Sequence, residues 1–248
     1  MSVSPRQGRP EPPRSAAPPL FEFDDPARGR LSVAAGETVV LLGPSGAGKT
    51  RLIRSLLGVA PPGGTRAGPP AGLLVRGRPA GPEGLAPLAG WVPEGDGVFL
   101  SDTVGDNVGR PPANRSRNSA PYDPAAARDA LDLVGLADRA GEPVQGLGRG
   151  GRRRVALARA LAARRPLLVI DGELDPTIWA LLPELLEQAR WIETVMLAAS
   201  STAAITRFGA ATVALMADGR IVAQAPLPAL AASSDPDTRG VLVRVTGL

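Results

Sequence analysis

A short apolar run, Val39-Val40-Leu41-Leu42, leads directly into Gly43-Pro44-Ser45-Gly46-Ala47-Gly48-Lys49-Thr50. The chain then continues as Arg51-Leu52-Ile53-Arg54-Ser55-Leu56-Leu57, with apolar residues at helical spacing. A buried strand, a glycine-rich turn and a helix in that order confine the chain to α/β folds in which a strand feeds the loop. The octet fits G-x-x-x-x-G-K-[ST], the Walker A pattern, in the setting that gives the pattern its meaning. Successive backbone N–H groups in such a loop surround phosphates, and the helix N-terminus adds its partial positive charge. Lys49 is the only lysine among 28 basic residues. Its compact ammonium is expected at the β- and γ-phosphates, with the Thr50 hydroxyl on Mg²⁺. The candidate nucleotide-binding residues are therefore Gly43, Pro44, Ser45, Gly46, Ala47, Gly48, Lys49, Thr50 and Arg51.

A chain of 248 residues with 44% apolar and 21% charged residues suits one large α/β domain. Cysteine is absent, which excludes disulfides and cysteine-based metal sites. Aromatic residues make up only 3%, and no nucleic-acid motif accompanies the net charge of +4, so nucleic acid is not the expected partner. No stretch reaches the ~18 to 20 apolar residues of a membrane span, and the N-terminus lacks a signal-peptide core, so a cytoplasmic protein is expected. Residues 1–19, rich in proline and arginine, read as a disordered leader. The folded domain is expected over 20–240 and a C-terminal tail over 241–248. Connections rich in proline and glycine are expected over 61–72 and 109–124, with a helix over 125–134.

Further along stands Leu147-Gly148-Arg149-Gly150-Gly151-Arg152-Arg153-Arg154-Val155-Ala156-Leu157-Ala158-Arg159-Ala160-Leu161. This segment resembles the signature of an ATP-binding cassette (ABC) ATPase, LSGGQ-x-x-R followed by a helix. Other stretches resemble that family in the same order: Trp91-Val92-Pro93-Glu94 at the Q-loop, Thr103-Val104-Gly105-Asp106-Asn107-Val108 after it, Leu167-Leu168-Val169-Ile170-Asp171 as Walker B, and Gly219-Arg220-Ile221-Val222 in the closing hairpin. The resemblance implies a P-loop NTPase core with a smaller helical lobe over about residues 100–165. It also implies Mg-ATP as ligand, a second cassette as partner in a homo- or heterodimer, and a separate membrane permease, with the chain peripheral on the cytoplasmic face of the inner membrane. Glu94-Gly95-Asp96-Gly97-Val98-Phe99 and the tail Ser234-Asp235-Pro236-Asp237-Thr238-Arg239 are similar to ATPases of mammalian-cell-entry and lipid-asymmetry phospholipid transporters.

The departures from that pattern are specific. The resemblance assigns Asp171 to Mg²⁺, along with Thr50, and puts Glu94 where a glutamine normally approaches the metal. The glutamate that polarises the attacking water should follow Asp171, but Gly172 stands there. Glu173 comes one residue later, where a one-residue shift turns a side chain to the other face. The chain has no histidine, and Ser200 occupies the switch-histidine position. Glu173 and Ser200 are thus the remaining catalytic candidates. In the signature, Gly148 and Arg149 replace serine and glycine, Gly150 is kept, and Gly151 replaces glutamine. Gly148, Arg149 and Gly150 remain the candidates for contacting a nucleotide held by a partner. Arg149 reads either as a phosphate clamp or, with Arg152, Arg153 and Arg154, as part of a solvated basic face. The D-loop is shortened to Leu174-Asp175-Pro176, and the aromatic against adenine would be Phe21 or Phe23, with a place in the core the alternative for both and the expected one for at least one of them. The implied subunit binds Mg-ATP and hydrolyses it poorly by itself. A soluble pseudo-ATPase with ATP as structural or regulatory ligand is the alternative.

Overall fold

The computed structural model describes residues 18–60, 63–64, 68–95, 97–110, 123–172, 176–202, 205 and 212–246. The expected leader falls, up to residue 17, outside these residues. So do most of the connection over 109–124 and the candidates Glu173, Leu174 and Asp175.

Ten strands form two sheets among the described residues. Strands β1 (Phe21–Asp25), β2 (Gly29–Val33), β4 (Leu74–Val75) and β5 (Arg78–Pro79) make an antiparallel sheet in the order β2-β1-β4-β5. The larger sheet has the order β10-β9-β3-β8-β7-β6. It is built from β3 (Thr38–Leu42), β6 (Ala89–Val92), β7 (Leu167–Ile170), β8 (Thr194–Ala199), β9 (Thr212–Ala217) and β10 (Arg220–Pro226). Its neighbours pair in parallel except β9 with β10.

The inner strands β3, β7 and β8 are covered on both faces, which is why they are almost wholly apolar rather than alternating. The period of two still sorts them. Val40, Leu42, Leu168, Ile170, Val195 and Leu197 belong to one core, and Val39, Leu41, Leu167, Val169 and Met196 to another. The second core packs helix α1 (Lys49–Leu56), through Leu52, Ile53 and Leu56, against Phe21, Phe23, Leu31 and Val33 of the antiparallel sheet. Each such side chain withdrawn from water contributes about 1.5–3 kcal/mol, and together they clamp α1 between the sheets.

Helices α2 (Val104–Gly109), α3 (Pro124–Leu133) and α4 (Arg149–Ala162) pack with one another on the first core, and α5 (Pro176–Gln188) joins them there. Thr103 caps α2 by accepting from the Asp106 amide at 3.1 Å. The fully buried Asn107 ties α2 to the preceding loop, accepting from the Phe99 amide at 2.7 Å and donating to the Phe99 carbonyl at 2.9 Å. The α/β core with a smaller helical lobe is thus the observed fold. A helix over Pro236–Thr246 runs through the point where a C-terminal tail was expected to begin. Val241, Leu242 and Val245 recur on one face of that helix and are buried.

Candidate functional site

Four adjacent parallel strands end on one edge of the larger sheet: β3 runs into Gly43, β8 into Ser200, β7 into Asp171, and β6 into Pro93 and Glu94. Ligands of open parallel sheets bind outside the carboxyl ends of the strands. The chain gathers residues from four distant stretches of sequence at that edge. Backbone bonds fix the ends to one another: the Gly43 amide donates to the Ala199 carbonyl at 3.2 Å, and the Asp171 amide to the Val92 carbonyl at 2.8 Å.

The glycine-rich loop closes over the start of α1. Gly48 adopts φ +93, and a Cβ built on it would lie 2.9 Å from the Gly219 Cα, so both the backbone angle and the close approach require glycine. The Gly219 amide donates to the Ala47 carbonyl at 2.9 Å, bracing the loop with the turn between β9 and β10. The Lys49 ammonium donates to the carbonyls of Gly43 at 2.7 Å and Pro44 at 3.0 Å, and to Ser200 Oγ at 3.3 Å. Lys49 and Ser200, far apart in sequence, therefore share one place. Arg51 is exposed, with its guanidinium turned toward Gly219.

Thr50 joins the two acidic candidates. Its hydroxyl lies 2.9 Å from Asp171 Oδ1 and 3.1 Å from Glu94 Oε2. Asp171 is 1% exposed, and its Oδ2 is buried without a hydrogen-bond partner. Burial pushes the Asp171 carboxyl above its ordinary range; the Thr50 bond opposes this and the charge of Glu94 reinforces it. A buried carboxylate with an unanswered oxygen, beside a hydroxyl and a second carboxylate, fits a hard divalent cation. Mg²⁺ takes oxygen ligands, uses only one or two carboxylates and completes its shell with water and phosphates.

The position after Asp171 holds more information than its missing side chain. Gly172 has φ +84, a conformation that side chains other than glycine rarely adopt. A Cβ there would lie 3.3 Å from Glu94 Cγ and 3.7 Å from Arg153 Nη2. Arg153, 6% exposed, reaches from α4 to this point. It donates to the Pro93 carbonyl, to the Gly95 carbonyl at 2.6 Å and to the Asp171 carbonyl at 2.6 Å. One buried guanidinium thereby binds both residues flanking Glu94 to the end of β7. This corrects the reading of Arg149, Arg152, Arg153 and Arg154 as one solvated face. Arg153 falls in helical phase with Ala156, Leu157 and Ala160, all buried, and that phase was the signal available in the sequence.

Gly148, Arg149 and Gly150 lie at the start of α4, not on the strand ends that carry the Lys49 cluster. Gly148 is the N-cap and offers no side-chain cap; Gly148 and Arg149 are exposed. Arg152 turns back to the carbonyls of Leu147 at 3.0 Å and Gln145 at 3.2 Å. The expectation that Phe21 or Phe23 stacks on a base is overturned. Inward-pointing alternate positions of β1 put both in the core, 0% and 2% exposed, under α1.

The sequence profile described as ABC transporter matches residues 28–175. The methionine import ATP-binding protein of Mesorhizobium japonicum is 34% identical over 224 residues, covering 84% of this chain and 58% of that protein. The chain thus spans little more than half the length of that relative. The thiamine import ATP-binding protein of Cereibacter sphaeroides is 33% identical over 230 residues, covering 90% of this chain and 96% of that protein. Among solved structures, cbiO1 of Clostridium perfringens, part of the transporter complex cbiONQ, aligns with a TM-score of 0.66 at 20% identity over 92% of this chain and 96% of that one. A bacterial Atm1-family ABC exporter with ATP bound aligns with a TM-score of 0.68 at 24% identity over 95% of this chain and 44% of that one.

Proposed function

The chain belongs to the ABC transporter family as an ATP-binding subunit, and from that premise we propose that it holds Mg-ATP at the Lys49 cluster, pairs with a second cassette and docks on a separate membrane permease. The observation that carries this reading is the convergence of Lys49, Thr50, Asp171, Glu94 and Ser200 at one edge of the parallel sheet, with a buried Asp171 oxygen left for a cation. Thr50 and Asp171 would hold Mg²⁺, with exposed Glu94 beside them reaching it only through a water, and the ion when bound would neutralise phosphate charge. Lys49 exchanges its bonds to loop carbonyls for bonds to the phosphates, and the amides of residues 43–48 orient them.

Hydrolysis by the chain alone is slow in this reading. Gly172 provides no carboxylate, and the chain contains no histidine. These same two facts favour the second reading, a pseudo-ATPase in which bound ATP serves as a structural or regulatory ligand of a partner. In this reading the membrane contact belongs to the permease and the chain sits peripherally on the cytoplasmic face; among the described residues no helix is long and apolar enough to cross a membrane. Two short segments carry a lipid-transport reading, whereas the methionine and thiamine import relatives match 84% and 90% of the chain. Import has the longer support.

Thermal unfolding tests the binding claim. At 100-fold excess over Kd a ligand stabilises by about 2.7 kcal/mol. For a domain of this size that raises the Tm by roughly 5–10 °C. Mg-ATP is expected to give such a shift in the wild type and none in Lys49→Ala. Equal shifts in the two proteins would remove the loop from the account.

A further inference from the structure

Resting on the reading above, we propose that Glu94 supplies the water-polarising carboxylate for ATP hydrolysis that position 172 lacks. The two positions are one spatial feature. A side chain at 172 would enter the space beside the end of β7, and the Glu94 side chain passes through that space, its Cγ 3.3 Å from where a Cβ on Gly172 would stand. A Cβ at 172 would press on the Glu94 side chain, and glycine leaves that side chain its room.

The placement of Glu94 suits the task. Its Oε2 lies 3.1 Å from Thr50 Oγ1, the hydroxyl that also meets Asp171 Oδ1 at 2.9 Å, so two carboxylates converge at the phosphate end of the loop. Their surroundings separate their roles. Asp171 is buried and suited to a fixed cation, whereas Glu94 is exposed and open to water. Arg153 binds the carbonyls on either side of Glu94 and so fixes its backbone; it acts as a positioning residue, and a base held in place contributes far more than one free to wander. A glutamine, which the family resemblance places at this point, can orient a water but cannot accept its proton.

The step balances with groups already named. The oxygen of a water forms a bond to Pγ as the bond from Pγ to the β,γ-bridging oxygen breaks, and that electron pair leaves with ADP. The proton of the attacking water passes to the Glu94 carboxylate and then to the released phosphate or solvent, which restores Glu94.

The test combines single-turnover hydrolysis of γ-labelled ATP by the full chain in excess with thermal unfolding in Mg-ATP. Glu94→Gln, nearly isosteric and at an exposed position, is expected to keep the Mg-ATP shift and lower phosphate release by about 10²-fold or more. An unchanged or faster rate in Glu94→Gln overturns the proposal. Loss of both the shift and the rate assigns Glu94 to metal binding alone and also overturns it. A wild type that shifts with Mg-ATP but releases no phosphate overturns the proposal while leaving the binding reading intact; a wild type with no shift overturns that reading, and the proposal with it.

Discussion

The edge of the parallel sheet and the start of α4 are both made of loop glycines and cations, yet they are built in opposite ways. At the sheet edge Lys49 meets Ser200, and its neighbour Thr50 meets Asp171 and Glu94, through hydrogen bonds of 2.9–3.3 Å on a frame of strand ends. At the start of α4, Gly148 and Arg149 are exposed and uncapped. Holding a nucleotide requires groups fixed before the ligand arrives, and the first region has them. In the pairing proposed above, the second would act only against a partner's nucleotide.

Arg153 joins the two regions, because it rises from α4 and ends on the carbonyls of Pro93, Gly95 and Asp171. The largest expected effect in either region therefore comes from Arg153→Met, which strands these carbonyls without their donor. A buried acceptor left unsatisfied costs about 1–3 kcal/mol, so the Tm should fall by several degrees, and the Mg-ATP shift should shrink with it as Glu94 and Asp171 lose their common anchor. An Arg153→Met protein that melts like the wild type would show that the two regions are independent.

The smallest expected effect lies at the other end of the comparison. Gly148→Ser adds the missing cap to α4 and should stabilise the chain by only a few tenths of a kcal/mol, a rise of about 1 °C. The Mg-ATP shift should be unchanged, since Gly148 stands at the start of α4 and not on the strand ends that carry the Lys49 cluster. A change in that shift would mean that the signature segment touches the nucleotide, in the same chain or across a pair of copies, which the dependence of the shift on protein concentration separates.

The strand, loop and helix around Lys49 were legible because each is a local pattern: an apolar run, a glycine spacing, an amphipathic turn. The strands ending at Asp171 and Ser200 were legible for the same reason. What escaped was tertiary. Phe21 and Phe23 look alike to a search for an aromatic beside the site, but the pleat turns both inward. A run of arginines reads as surface charge, although helical phase buries the third of them. The relation of Glu94 to Gly172 joins two loops through space, and no spacing rule in the sequence announces it. The positive φ of Gly172 also changes what reconstruction means: a glutamate restored there would be strained and would meet Glu94, so Gly172→Glu is not a simple repair.

The central claim, that this chain retains a built site for Mg-ATP, is tested most directly by calorimetric titration of ATP into the wild type and Asp171→Asn, with Mg²⁺ and with the metal chelated. The wild type should bind one ATP per chain, more tightly when Mg²⁺ is present, and Asp171→Asn should lose that gain because the buried oxygen no longer carries charge for the cation. The metal-free Asp171→Asn protein should be no less stable at neutral pH. The folded-state pKa of Asp171 is raised, so the stability it contributes is present below the unfolded value of 3.8 and is lost as pH rises through the raised folded value; the substitution removes that loss. Wild-type binding with the same affinity with and without Mg²⁺, or no saturable binding at all, would contradict the account.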